Sequence, residues 1–155
     1  MPNRPRPATV RRLEQATGRL ATAAIARMEE TLPWYRAMPA AHRSWVGMVA
    51  QAGIAAFVEW FRSPDAAPAI PADVFGTAPR ELTRAVTLRQ TVELVRTTIG
   101  VIEEKVAELA PTDEVADLHI AVLRYSREIA FAAAQVYAQA AEARGAWDAR
   151  LEALV

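Results

Sequence analysis

An all-α fold is predicted, and two patterns predict it. In the last third of the chain, Leu118, Val122, Tyr125, Ile129, Ala132, Val136, Ala140, Ala143, Trp147, Leu151 and Leu154 recur at an average step of 3.6 positions, the period of a straight α-helix. Before them, Leu88, Val92, Val95, Ile99, Ile102, Val106 and Leu109 alternate steps of four and three, the seam of helices that pack side by side. No stretch shows convincing period-two alternation, and no internal repeat of roughly 20 to 50 residues is apparent.

The elements follow in order. Residues 1–8 read as a flexible basic arm, because Arg4 and Arg6 are interleaved with Pro2, Pro5 and Pro7. A first helix runs from Thr9, a suitable N-cap, to about Thr31, with Leu13, Thr17, Leu20, Ala24, Met28 and Leu32 on its apolar face; Pro33 ends it. Two adjacent aromatics in the connector that follows, Trp34 and Tyr35, are expected to fold back onto the core as a plug. A second long helix spans Pro39 or Ala40 to Arg62 and is apolar nearly all round between Trp45 and Phe61, so a central position is expected for it. Gly47 and Gly53 each lower its helix propensity by roughly 1 kcal/mol relative to alanine, which suggests a neighbouring helix approaching closely.

Residues 63–79 hold four prolines and a glycine and read as a connector pinning Ile70, Val74 and Phe75 to the body. A third long helix is expected from Pro79, capped by Thr77 or Ala78, and is stopped by Pro111. Thr112, with Asp113 and Glu114 behind it, caps the last helix, and the short turn makes these two helices an antiparallel hairpin. The final stripe is still running at Val155 with no glycine or proline stop behind it. The expectation is a helical sensory and dimerisation domain over 9–143, with 144–155 starting a linker helix to an output domain that is missing here.

Composition narrows the function. Of 155 residues 52% are hydrophobic, enough for a real core, and 18 basic residues balance 18 acidic ones. That balance argues against this segment gripping nucleic acid, which needs a basic excess. There is no cysteine, so disulfides, thiolate metal sites and cysteine nucleophiles are excluded, and a cytoplasmic location is expected. The stretch Trp45 to Phe61 contains Gln51 and Glu59 and is short and polar for a membrane span, so no membrane association is expected.

Catalytic motifs are absent: no phosphate-cradling glycine loop, nucleophile elbow, HExxH or acid-rich calcium loop occurs. His42 and His119 stand far apart, and neither an enzyme nor a cofactor is expected. Aromatics concentrate in the middle third, and Trp34, Tyr35, Trp45, Phe57, Glu59, Trp60 and Phe61 form a candidate ligand pocket with Arg89 and Arg96 at its mouth for an anionic head. Glu59 has a second reading, as a rim carboxylate paired with Arg62. Thr83, Thr87, Thr91, Leu94 and Thr98 share one helix face, which is explained equally by a polar-lined pocket, a subunit interface or plain exposure. Tyr125, Ile129, Val136, Trp147, Leu151 and Leu154 are the candidate dimer and signal-transmitting residues.

Four stretches carry a resemblance: LPWYRAMP, VAQAGIAAFVEWF, VFGTAPRELTRAVTLRQTVELVRTTI and REIAFAAAQVYAQAAEARGAWDARLEALV. In order and spacing, from about Pro7 to Val155, the chain resembles the N-terminal regions of actinobacterial PucR-like transcription regulators, most of all those controlling fatty-acid synthesis genes. Such regions are similar to the RsbR-type, non-haem globin-like helical domain. The resemblance implies a globin-like bundle with a long C-terminal antiparallel helix pair and a protruding last helix. It also implies a sensory, homodimerising module, with promoter DNA bound only through a C-terminal helix-turn-helix beyond Val155; from the aromatic residues, an apolar or acyl-type effector is expected. The alternative is a stressosome-like protein–protein interaction module without a small-molecule ligand.

Overall fold

The computed structural model describes residues 7–63 and 85–154. Most of the expected arm, the connector with Ile70, Val74 and Phe75, the expected helix start at Pro79, Thr83 and Val155 lie outside the described residues. The described residues form five α-helices and one 3-10 turn, with no strand, and the all-α expectation holds.

Helix α1 (Pro7–Thr31) turns Leu13, Ala16, Leu20, Ala24 and Met28 inward at steps of three and four, with Ala21 beside them. Thr9 does not cap it. The helix already includes Pro7, and the buried Thr9 hydroxyl donates instead to the carboxylate of Glu114. At the other end Arg36 donates to the carbonyls of Glu29 and Glu30 at 2.6 and 3.2 Å, satisfying two of the acceptors that a helix terminus leaves free. Arg36 belongs to the short α2 (Pro33–Arg36), which buries Tyr35 among Ala24, Met28 and Val46. The aromatic connector thus does fold back onto the body.

Helix α3 (Ala40–Arg62) follows Pro39, as expected, but it is not central. Val46, Ile54, Phe57, Val58, Trp60 and Phe61 are buried, while Met48, Gln51, Ala55 and Glu59 face solvent. The central helix is α1, which packs against both α3 and α4. Its run of buried alanines lets neighbours approach on two sides, whereas α3 turns its bulky side chains to the body and leaves its other face in solvent.

Helix α4 (Leu88–Leu109) starts where the sequence suggested a continuous helix. Thr87 is extended, its hydroxyl accepts from the backbone N–H of Gln90, and the Gln90 side chain accepts from the backbone N–H of Thr87. This reciprocal capping box begins a new helix at a residue the periodicity alone placed inside one. Pro111 then leads into the 3-10 turn Thr112–Glu114 and into α5 (Val115–Ala153). Thr112 makes no side-chain cap hydrogen bond, and the dipole-favouring acidic residue in the first turn of α5 is Asp117.

Helices α4 and α5 pack as an antiparallel pair whose burial is graded. Ile102, Val106 and Leu109 are buried beside Leu118 and Val122 near the turn, Val95 and Ile99 are half-buried, and Leu88 and Val92 are exposed. At 39 residues α5 is about 58 Å long, against about 33 Å for the 22 residues of α4. From Ala138 to Leu154 every residue of α5 is exposed. Among the described residues no helix is long and apolar enough to cross a membrane.

Candidate functional site

The aromatic end of the bundle is tightly closed. Tyr125 of α5 packs edge-on against Phe57 at 5.3 Å between ring centres and against Trp60 at 5.6 Å, both on α3. Arg124 lies 5.7 Å above the Trp60 ring in a cation–π contact. Tyr125 is 3% exposed, and its hydroxyl is buried without a hydrogen-bond partner among the described residues. Burial pushes the pKa of that hydroxyl up to about 12, because the phenolate would have to form without water.

Away from that contact α3 and α5 diverge, and a cavity of about 140 Å³, partly open to solvent, lies between them. Met28 of α1, Val46, Gly53 and Phe57 of α3, Leu94 and Ile99 of α4, and Ile129 and Val136 of α5 contribute to its wall. Among the described residues, no ionisable side chain other than tyrosine lines it. The hydroxyls in the wall are largely engaged with neighbouring backbone: Thr98 donates to Leu94, Ser126 to Val122, and Tyr137 to Val86 at 2.8 Å. Thr91 donates to Thr87 and also meets the Tyr137 hydroxyl at 2.7 Å, tying the start of α4 to α5.

The candidate pocket residues therefore do not share one site. Phe57 lines the cavity, Trp60 and Phe61 sit in the main core, and Tyr35 is in the smaller cluster. Trp34 donates through Nε1 to Glu93 at 2.6 Å, and Trp45 is half-buried on α3. Glu59 takes its rim reading, with its side chain 72% exposed and 3.3 Å from Arg62. Arg89 is 90% exposed beside Glu93, Arg96 is exposed, and neither reaches the cavity wall. His42 is half-buried on α3 and His119 is exposed on α5.

Among the candidate dimer and signal residues, Tyr125, Ile129 and Val136 line the cavity, while Trp147, Leu151 and Leu154 are 61%, 48% and 83% exposed. Two members of the threonine face, Thr91 and Thr98, belong to the cavity wall, and Thr87 is the cap of α4. Sequence reasoning missed Tyr137, whose partners lie 46 and 51 positions away, and missed Gly53 as a wall residue. Gly47 does mark a close approach, with Ile25 Cδ1 only 3.1 Å from where a Cβ would stand. At Gly53 a Cβ would meet nothing within 4 Å.

No family model matches the sequence. Uncharacterized proteins of Mycobacterium bovis and Mycobacterium tuberculosis are 46% identical to it over 147 residues, a stretch that covers 94% of this chain and 36% of each relative. The chain spans little more than a third of the length of the curated relatives it matches.

Proposed function

We propose that this chain is the N-terminal regulatory region of a PucR-like transcription regulator of fatty-acid synthesis genes. In this reading it is a non-catalytic sensory and dimerising bundle that passes a signal along α5 to a C-terminal helix-turn-helix outside this chain. The observation that carries the reading is the uncovered end of α5. There the core-facing stripe continues as Trp147, Leu151 and Leu154, all large and exposed. Large apolar side chains repeated on one face of a helix favour a partner helix, and a second copy related by a two-fold axis would cover both stripes at once.

The cavity supports the sensory half. Ile129 and Val136 line it and lie on the same stripe that becomes Trp147 and Leu151 further along. An apolar effector that prefers one packing of α5 against α3 and α4 shifts the geometry of the extension by its differential affinity for the two arrangements. The balanced charge argues against DNA contact by this segment, and the greater length of the mycobacterial relatives leaves room for a separate DNA-binding region.

Chromatin immunoprecipitation of a full-length protein carrying this region is the test. Recovery of promoters of fatty-acid synthesis genes is expected, and Trp147→Ala should keep the fold while breaking the dependence of that occupancy on effector. Absence of promoter enrichment overturns the reading. A second reading, a stressosome-like interaction module, is favoured by the opposite face of α5, where Ile120, Leu123 and Phe131 are all more than half exposed. A complex of fixed stoichiometry with another protein, without promoter occupancy, would establish it.

A further inference from the structure

Protein interiors are packed to the density of organic crystals, and voids larger than a water molecule are few. A cavity of about 140 Å³ in a bundle of this size is a departure from that packing. Gly53 preserves it. An alanine there would meet nothing within 4 Å and would favour the helix, so close backbone packing does not require the glycine. Its effect is a recessed stretch of wall on α3, unlike Gly47, where Ile25 occupies the space.

The chemistry of the wall limits what fits. Among the described residues it is aliphatic and aromatic, carries no Lys, Arg, Asp, Glu or His, and engages the hydroxyls of Thr98, Ser126 and Tyr137 with backbone carbonyls. An anionic head would be desolvated there without a counter-charge, and Arg89 and Arg96 stand too far out in solvent to supply one. An enclosed apolar cavity of about 150 Å³ takes up benzene, whereas pockets for drug-sized ligands run from about 300 Å³ upward, so the space between these helices matches a single small ring. We propose that the cavity between α3, α4 and α5 is a binding site for a small, uncharged, apolar molecule about the size of a benzene ring. The proposal rests on the sensory reading for its role, but the binding is read without any regulatory output, so the two fail separately.

The test is a titration of the folded chain with benzene and, in parallel, benzoate, following methyl NMR signals and the melting temperature. Benzene is expected to shift the methyls of Ile99, Ile129 and Val136 saturably and to raise the melting temperature, and benzoate to do neither. Gly53→Leu fills the recess and should abolish the saturable shifts. Gly53→Ala, which the backbone accepts without a clash, should weaken benzene binding by roughly tenfold, the lower end of what one carbon contributes in an apolar pocket. No saturable shift with benzene, an equal response to benzoate, or undiminished benzene affinity in a folded Gly53→Ala chain overturns the proposal.

Discussion

Tyr125 shows how one side chain can serve packing at a cost in polarity. Its ring joins α5 to Phe57 and Trp60, yet its hydroxyl is buried with no partner among the described residues. Tyr125→Phe keeps the ring contacts and removes the unsatisfied group, so it should stabilise the chain by roughly 1 kcal/mol in chemical denaturation. The same residue sets an alkaline limit. Its pKa is raised from 10.0 to about 12 in the folded chain, so the unfolded state loses the proton first. Its contribution is complete below the unfolded value of 10.0 and is lost as pH rises toward about 12. Melting curves across that window should fall more steeply for the native chain than for Tyr125→Phe; parallel curves would show that another group governs alkaline unfolding.

At the scale of the element, α4 depends on its start and on its tie to α1. The reciprocal Thr87–Gln90 box satisfies two backbone donors, and Thr87→Ala should cost about 1 kcal/mol. Because Thr91 and Tyr137 lie beside that first turn, the loss should also appear as faster amide exchange there. The Arg27 guanidinium holds both oxygens of the Glu104 carboxylate at 3.0 and 2.9 Å, bridging α1 and α4. This bidentate contact, then the arginine's charge, lowers the pKa of Glu104 below its ordinary 4.5. A depressed carboxylate stabilises above its unfolded value and loses that contribution as pH falls through its folded value. Both groups face solvent, so the effect is small. The melting-temperature gap between the native chain and Glu104→Gln should be present at neutral pH and close as pH drops below 4.5.

For the molecule as a whole, the decisive feature is the mismatch in length between α5 and the bundle that supports it. The exposed stretch from Ala138 to Leu154 is about 25 Å of helix, and its apolar face is continuous with the core. A dimer through this face predicts that Leu151→Glu yields a monomer in analytical ultracentrifugation with the bundle still folded, since Leu151 makes no part of the buried core. An unchanged sedimentation coefficient for a dimeric native chain would place the interface elsewhere. The opposite face, with Ile120, Leu123 and Phe131, is the first place to look in that case.

The helices were legible because their signal is local. A stripe such as Leu118, Val122, Tyr125 and Ile129 reports its own period, and Pro33, Pro39 and Pro111 interrupt helices through fixed dihedrals and a missing donor. The rim role of Glu59 was also legible as one of two readings, because its partner Arg62 is three residues away. Boundaries set by side chains were not. Thr87 was one member of a threonine row until its box with Gln90 formed, and Thr9 resembled a cap until Glu114 came to it from 105 positions away. The site was least legible of all. Aromatic clustering pointed to a pocket among Trp34, Trp45 and Trp60, but large rings fill space, and the cavity opened where Gly53, Thr91 and Val136 leave it. Periodicity by itself determined which residues of each helix turn inward; only the tertiary structure decided which inward faces meet and which stay apart, because that depends on side-chain volumes brought together from four helices.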